Sequence, residues 1–191
     1  MRESRPDIRG FVEEDGVNEV IVIVQSRMGS SRLPGKAVRV LAGKPMVLHV
    51  LARASSLGYP TWLATSLSER DTLLAHTATD AGYQVWRGSE WDVLGRMAAL
   101  AEALKAETVM RLTGDCPLWA PDVGRRVLAL YDSVRHEAPY VSNDTAASGW
   151  ADGLDTEVLP VGLLQVAAMR ATDHIDREHV TPWVRRHYPT R

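Results

Sequence analysis

Arg27, Arg32 and Lys36 stand within ten residues of one another in the stretch QSRMGSSRLPGK, residues 25–36, which follows the apolar run VIVIV at 20–24. An apolar run giving way to glycine, serine and cations is a phosphate-site signal. Small residues free backbone N–H groups to point at an anion, and the cations add positive charge. Two familiar phosphate motifs do not fit. A Walker A loop has four residues between its glycines and Ser or Thr after the lysine; here five residues separate Gly29 from Gly35, and Ala37 follows Lys36. A dinucleotide fingerprint needs a second glycine two residues after the first, and Ser31 occupies that position. ATPase and dehydrogenase readings both weaken.

The elements that must position this loop show in the periodicity. The run at 20–24 predicts a strand buried on both faces, because it is continuous rather than alternating. Val47, Val50, Leu51 and Ala54 predict a helix over 46–57, broken at Gly58 and Pro60. Strands are expected at 62–65, 84–86, 108–112 and from 140; helices are expected at 69–81, at 92–105 and from Pro121. Strands alternating with helices imply βαβ units, hence an α/β fold with a mostly parallel sheet and helices on both faces. Such sheets bind ligands outside the carboxyl ends of their strands. The loop leaves one such end and Asp115 another, so the pattern places cations and a carboxylate in one crevice. Residues 142–153 turn small and polar, which predicts a loop on the active-site side.

The chain has 191 residues, 45% hydrophobic and 24% charged, which suits one domain with a substantial core. A net charge of −2 argues against a general nucleic-acid binder, so anionic ligands must meet a local cation cluster. The single cysteine, Cys116, excludes an internal disulfide and suits a reducing, cytoplasmic setting. No apolar stretch approaches the ~20 residues of a membrane span. The first residues lack the apolar segment of a secretory signal. With mixed charges, Pro6 and two glycines, residues 1–19 are expected to be a mobile lead-in to a domain over 20–191.

Six further motifs follow the loop in order: ATSLSERD, WRGSEWDVLGR, RLTGDCPL, YVSND, DGLDTEV and REHVTPWVRRHYP. With the loop, continued as QSRMGSSRLPGKAVRVLAGKPMVLHV, they resemble the sugar nucleotidyltransferases. The resemblance is strongest to cytidylyltransferases of the spore-coat polysaccharide SpsF type, relatives of the acylneuraminate and KDO cytidylyltransferases, and covers almost all of the chain after Glu19. It implies a GT-A-like three-layer α/β fold. It also implies transfer of a nucleotidyl group from CTP to a sugar or sugar acid, with Mg²⁺ as cofactor and pyrophosphate as leaving group. By this resemblance Arg27 and Lys36 hold the triphosphate, assisted by Gln25, Gly29, Ser30, Ser31 and Arg32, where fixed cations stabilise charge on the attacked phosphorus. Asp115 coordinates Mg²⁺, which needs one or two carboxylates besides substrate phosphates; read alone, it is equally a turn former or helix N-cap. Cys116 beside it reads as a small buried residue with no paired base.

Arg87, Gly88, Ser89, Asp92 and Arg96 resemble the segment that contacts base and ribose, although Asp92 and Arg96 also form an i,i+4 pair of the kind common on helix surfaces. Asp155 and Glu157, two apart on a strand, face one way. They either orient a sugar hydroxyl or assist the metal, or else they are charges on an exposed strand edge. Glu178 and His179 fall on the sugar side by resemblance, His179 either as a proton acceptor or as a structural hydrogen-bonder.

Relatives of this type continue with a further strand and helix, where an aspartate in a TVDT-like motif supplies a second metal carboxylate. No such motif stands in this sequence. The expectation is either a C-terminally incomplete domain, or Asp155 as substitute carboxylate, or a domain that binds without efficient turnover; the missing strand would leave a sheet edge for a partner or a second copy in a homodimer. Three functions stay open at this point. One is a Mg²⁺-dependent cytidylyltransferase. Another is a non-catalytic nucleotide- or sugar-nucleotide-binding module. The third is a transferase using a nucleotide-sugar donor, disfavoured because DGLD at 152–155 lacks a DxD spacing.

Overall fold

The computed structural model describes residues 18–30, 33–144 and 149–191. It opens on β1, Asn18–Gln25. Val20, Val22 and Val24 of this strand face one core, and Ile21 and Ile23 face another. A strand covered on both sides has no polar face to show, which is why its apolar run is continuous. After the loop, Lys36–Val38 make one 3₁₀ turn. A small hairpin of β2 (Val40–Leu41) and β3 (Lys44–Pro45) turns through Ala42 and Gly43, at φ 47° and 82°. Helix α1, Met46–Ser55, then packs Val47, Val50, Leu51 and Ala54 on the valine face of β1.

The alternation continues through β4 (Thr61–Ser66), α2 (Thr72–Asp80), β5 (Gln84–Gly88), α3 (Val93–Ala103), β6 (Ala106–Thr113) and α4 (Pro121–Val134). The chain then adds β7 (Val141–Ser142), β8 (Glu157–Pro160), α5 (Val161–Arg170), α6 (His174–His179) and α7 (Pro182–His187). The main sheet has the order β5-β4-β1-β6-β8-β7. β5, β4, β1 and β6 are parallel, β8 runs antiparallel to β6, and β7 antiparallel to β8. Helices α1, α2 and α4 cover one face; α3, α5 and α7 cover the other. The expected three-layer, mostly parallel architecture is what the chain forms.

From β1 the chain builds outward through β4 to β5, then returns to place β6 on the opposite side of β1. The gap beyond the carboxyl ends of β1 and β6 is therefore the topological switch point, where such sheets leave a crevice. Pairing runs in register up to Gln25 opposite Thr113. Gly114 N donates to Gln25 O at 2.7 Å, and a Cβ at Gly114 would lie 2.6 Å from Ser26 Cβ. Only glycine lets these strand ends close so tightly.

Three expectations change. The helix at 69–81 is divided: Glu69–Asp71 form a 3₁₀ turn, and the α-helix starts at Thr72. The lead-in over 1–19 lies outside the described residues except for Asn18 and Glu19, which already belong to β1. The edge at β7 is partly taken by the chain itself. Tyr140 and Thr190 bridge in parallel, Ser142 N donates to Arg191 O at 2.8 Å, and Arg191 N donates to Tyr140 O at 3.2 Å. Among the described residues no helix is long and apolar enough to cross a membrane.

Candidate active site

The loop after β1 is anchored by one buried carboxylate. Asp71, 2% exposed, accepts from Met28 N at 2.7 Å, from Thr65 Oγ1 and Ser66 N at 3.1 Å each, and from Ser66 Oγ. It ties the end of β4 to the start of the loop. The loop then closes on itself, with Ser30 N and Gly35 N both donating to Met28 O, at 2.9 and 3.2 Å. Gly35 sits at φ 72°, a conformation natural to glycine, and this turn delivers Lys36 to the cleft. Ser30 Oγ accepts from Leu33 N at 3.3 Å and so shapes the loop. Ser31 and Arg32 lie outside the described residues.

A cavity of about 370 Å³ opens at the switch point. Gln25, Ser26, Arg27, Gly29, Ser30 and Lys36 line one side; Arg111, Thr113, Gly114 and Asp115 line the other; Glu178 and His179 of α6 complete the wall. Two ion pairs cross it, Lys36 with Asp115 and Arg27 with Glu178. Burial pushes the Asp115 carboxyl up, but the hydrogen bond and charge of Lys36 outweigh that and hold it below its ordinary value. Glu178, expected on the sugar side, stands against the cation of the phosphate loop.

A second cavity of about 320 Å³ adjoins the first and shares Arg111, Thr113 and His179 with it. Its own walls include Asp144, Asp155, Glu157, Thr181 and Arg185. Asp155 and Glu157 both reach this wall, although only Glu157 lies in β8 and Asp155 precedes it, and they differ in what their oxygens do. Glu157 Oε1 accepts from Tyr140 OH at 2.7 Å, Thr181 Oγ1 at 2.6 Å and Arg185 Nη2 at 3.2 Å, while Oε2 accepts from Arg111. Burial pushes its carboxyl up, but the Arg111 charge and the bonds from Thr181 and Tyr140 hold it below its ordinary value. With its oxygens so engaged, Glu157 is a hub of the scaffold rather than a free sugar ligand.

Asp155 stays more open, accepting from Gly153 N at 3.4 Å. Burial, joined by the charges of Asp144, Asp152 and Glu157, pushes its carboxyl up. Asp115 and Asp155 both lie near enough to act on Cys116, whose thiol burial pushes up to about 11. A thiol that stays protonated is inert, in line with its sequence reading.

The segment expected at base and ribose is held by contacts within the chain. Arg87 Nε and Nη2 donate to Ser66 O at 2.9 Å and Ser68 O at 3.0 Å, tying β5 to the loop after β4. Ser89 Oγ accepts from Asp92 N at 3.0 Å. Asp92 caps α3 by accepting from Gly95 N at 2.8 Å, and it pairs with Arg177 rather than with Arg96. Arg96, 3% exposed, runs beneath Gly88, where a Cβ would lie 2.7 Å from Arg96 Cγ. Its Nη1 donates to Ser89 O, while Nε and Nη2 are buried without a hydrogen-bond partner among the described residues. Burial pulls this guanidinium down to about 10, so it stays charged at neutral pH. None of Arg87, Ser89, Asp92 and Arg96 lines either cavity.

Helix α6 presents Glu178 and His179 through a strained corner. Val180 follows at φ 74°, ψ −57°, and Thr181 N donates to His179 O at 2.9 Å. This is a γ-turn of the rare hand, costly for a β-branched residue and of the kind that clusters at functional sites. Buried Asp176 pairs with Arg186, and Asp173 caps α6 by accepting from Ile175 N at 2.7 Å.

Sequence reasoning passes over Arg111, Thr113, Thr181 and Arg185. A signal exists for the first two, polar residues two apart at the carboxyl end of β6, after the apolar pair Val109 and Met110. For Thr181 and Arg185 there is none, because the Glu157 carboxylate they bind is 24 and 28 residues away.

This arrangement has counterparts. The model of the family described as Cytidylyltransferase matches residues 21–190. The spore coat polysaccharide biosynthesis protein SpsF of Bacillus subtilis (strain 168) is 30% identical over 178 residues, which cover 90% of this chain and 72% of that protein. A 3-deoxy-manno-octulosonate cytidylyltransferase of Anaeromyxobacter dehalogenans is 34% identical over 120 residues, 61% of this chain and 49% of the relative. The solved structure of a cytidylyltransferase from Leptospira borgpetersenii matches with a TM-score of 0.83 at 26% identity, over 88% of this chain and 71% of that one. Because the family match runs from β1 to the residues beside β7, and so takes in both walls of the cleft, the chain belongs to the cytidylyltransferase family of nucleotidyltransferase enzymes.

Proposed function

We propose that this chain transfers a cytidylyl group from CTP to a hydroxyl of a sugar or sugar acid, releasing pyrophosphate, to activate that sugar for polysaccharide or glycan assembly. The observation that carries the proposal is Lys36 and Asp115 facing each other across the switch-point cleft, with Arg27 on the same wall as Lys36. The names of relatives supply the acceptor class: one is a cytidylyltransferase of 3-deoxy-manno-octulosonate, another a protein of spore-coat polysaccharide biosynthesis.

Across the cleft Arg27 is held by Glu178 and Lys36 by Asp115. A triphosphate, with its higher charge, competes Arg27 away from Glu178 and Lys36 away from Asp115. The cations then reach the phosphates, and Asp115 is released. In the reaction the acceptor oxygen bonds to the α-phosphorus, and the bond from that phosphorus to the bridging oxygen of the β-phosphate breaks. Pyrophosphate leaves with the electron pair. The acceptor hydroxyl gives up its proton, for which His179 on the wall shared by both cavities is a candidate base. Arg27 and Lys36 offset the charge on the reacting and leaving phosphates.

The donors fit Mg²⁺. Asp115 is a hard carboxylate, and Asp155 stands among like charges that a cation would relieve. One or two carboxylates plus substrate phosphates suffice for this ion. Among the described residues no three His, Cys, Asp or Glu side chains form a metal-holding group, so substrate oxygens would complete the shell. The bound ion would neutralise phosphate charge as pyrophosphate departs.

Pyrophosphate release tests the reading, measured with CTP, UTP, ATP and GTP against sugars and sugar acids that include 3-deoxy-manno-octulosonate. Release should require CTP, an acceptor and Mg²⁺ together, and Asp115→Ala should lower it by ~10²-fold or more. Equal release with every nucleotide, or full turnover in Asp115→Ala, would contradict the proposal. Tight CTP binding with no product across the panel would point to a binding module.

A further inference from the structure

Arg111 sits where the two cavities meet. Of the residues in both walls it is the one with a permanent charge. It is held from two sides: Nε donates to Gln25 Oε1 at 3.1 Å, and Nη1 donates to Glu157 Oε2. Neither bond uses Nη2. Gln25 ends β1 and Glu157 begins β8, and these are the strands on either side of β6. The guanidinium is thus fixed by both neighbours of its own strand. Its side chain is 11% exposed, and that of Glu157 is 5% exposed. A cation held this way has lost most of its freedom before a substrate arrives, so it need not reorganise as charge develops. Buried ion pairs can be purely structural, and apolar replacements for them are often harmless. A structural pair, however, needs neither a place on two cavity walls nor a third anchor from Gln25.

We propose that Arg111 is a catalytic residue that donates from Nη2 to the reacting α-phosphate at the junction of nucleotide and acceptor, with Gln25 and Glu157 as its positioning residues. The proposal rests on the cytidylyl-transfer reading given above. Arg111 moves no proton and forms no covalent bond. It opposes charge on the phosphate oxygens while the bond to the acceptor forms and the bond to pyrophosphate breaks. Arg27 and Lys36 already supply the cations that bind the triphosphate, so removing Arg111 falls on kcat more than on affinity for CTP.

The test compares wild type with Arg111→Gln, Arg111→Lys and Arg111→Ala. It uses CTP, Mg²⁺ and the panel acceptor that the wild type converts fastest, with CTP binding by calorimetry and folding by circular dichroism. Arg111→Gln should lose ~10²–10³-fold in kcat, with the Kd for CTP within about threefold of wild type, a small change on the scale where tenfold is one 1.4 kcal/mol step. Arg111→Lys should keep part of the rate, and added guanidinium should raise the rate of Arg111→Ala. A kcat in Arg111→Gln within a few-fold of wild type would overturn the proposal. So would loss of CTP binding in step with kcat, or failure of all three variants to fold, since each marks a different role. If wild type converts no acceptor, the transfer reading and this proposal fall together. If wild type turns over and Arg111→Gln keeps pace, this proposal alone falls.

Discussion

At Glu157 a single buried carboxylate joins β8 to Arg111, Tyr140, Thr181 and Arg185. Its carboxyl is held below 4.5, the ordinary glutamate value, so the ionised form stabilises the fold. That contribution is complete above the ordinary value and is lost as pH falls from there through the lower folded value. Glu157→Gln removes it and leaves two arginines short of a partner. Its thermal stability at pH 7 should fall by about 3 kcal/mol. Its further loss between pH 5 and pH 3 should be smaller than that of wild type, so the two melting curves converge in acid. Parallel acid losses would count against Glu157 as the buried anion of this network. The sequence announces Arg27, Lys36 and Asp115 because unusual residue types cluster in short motifs. It does not announce the role of Glu157 or Arg111, because that role is a contact between residues 46 positions apart. Asp71 is similar: it looks like an acid at a helix start, yet it organises a loop 43 residues upstream.

Helix α6 is the element that faces the phosphate loop, and the γ-turn at Val180 fixes how it ends. Through Glu178 it holds Arg27 at the cleft wall, in a partly exposed pair with side chains 27% and 35% accessible. Such pairs are individually weak. Freeing Arg27 with Glu178→Gln should therefore tighten CTP binding by only ~2–5-fold, read by calorimetry, and the gain should shrink as salt rises. Unchanged or weaker binding would show that Glu178 does not compete with the nucleotide. The long elements are legible from sequence because their burial is regular: β1 is apolar on both faces, and α1 and α3 carry helical stripes. The short ones are less so. The β2–β3 hairpin turns at Ala42, a non-glycine residue at positive φ, and β8, expected to include Asp155, starts only at the buried Glu157. The divided start of α2 follows from Asp71, whose carboxylate turns back to the loop instead of capping the helix.

At the scale of the molecule, the strand order puts the cation loop and Asp115 on either side of one crevice, and every other feature of the site is arranged around that topology. This much follows from alternating elements alone. The adjoining second cavity does not, since β8 meets α7 through the Glu157 network, and α6 meets α7 through the γ-turn and the Asp176–Arg186 pair. The central claim is transfer of the α-phosphorus of CTP to an acceptor. The most direct measurement follows CTP labelled at the α-phosphorus and, separately, at the γ-phosphorus, with Mg²⁺ and each acceptor of the panel. The account predicts α-label in a sugar nucleotide and γ-label in pyrophosphate, in equal amounts. Label that stays in CTP with every acceptor, or α-label released as CMP without a sugar product, would contradict it.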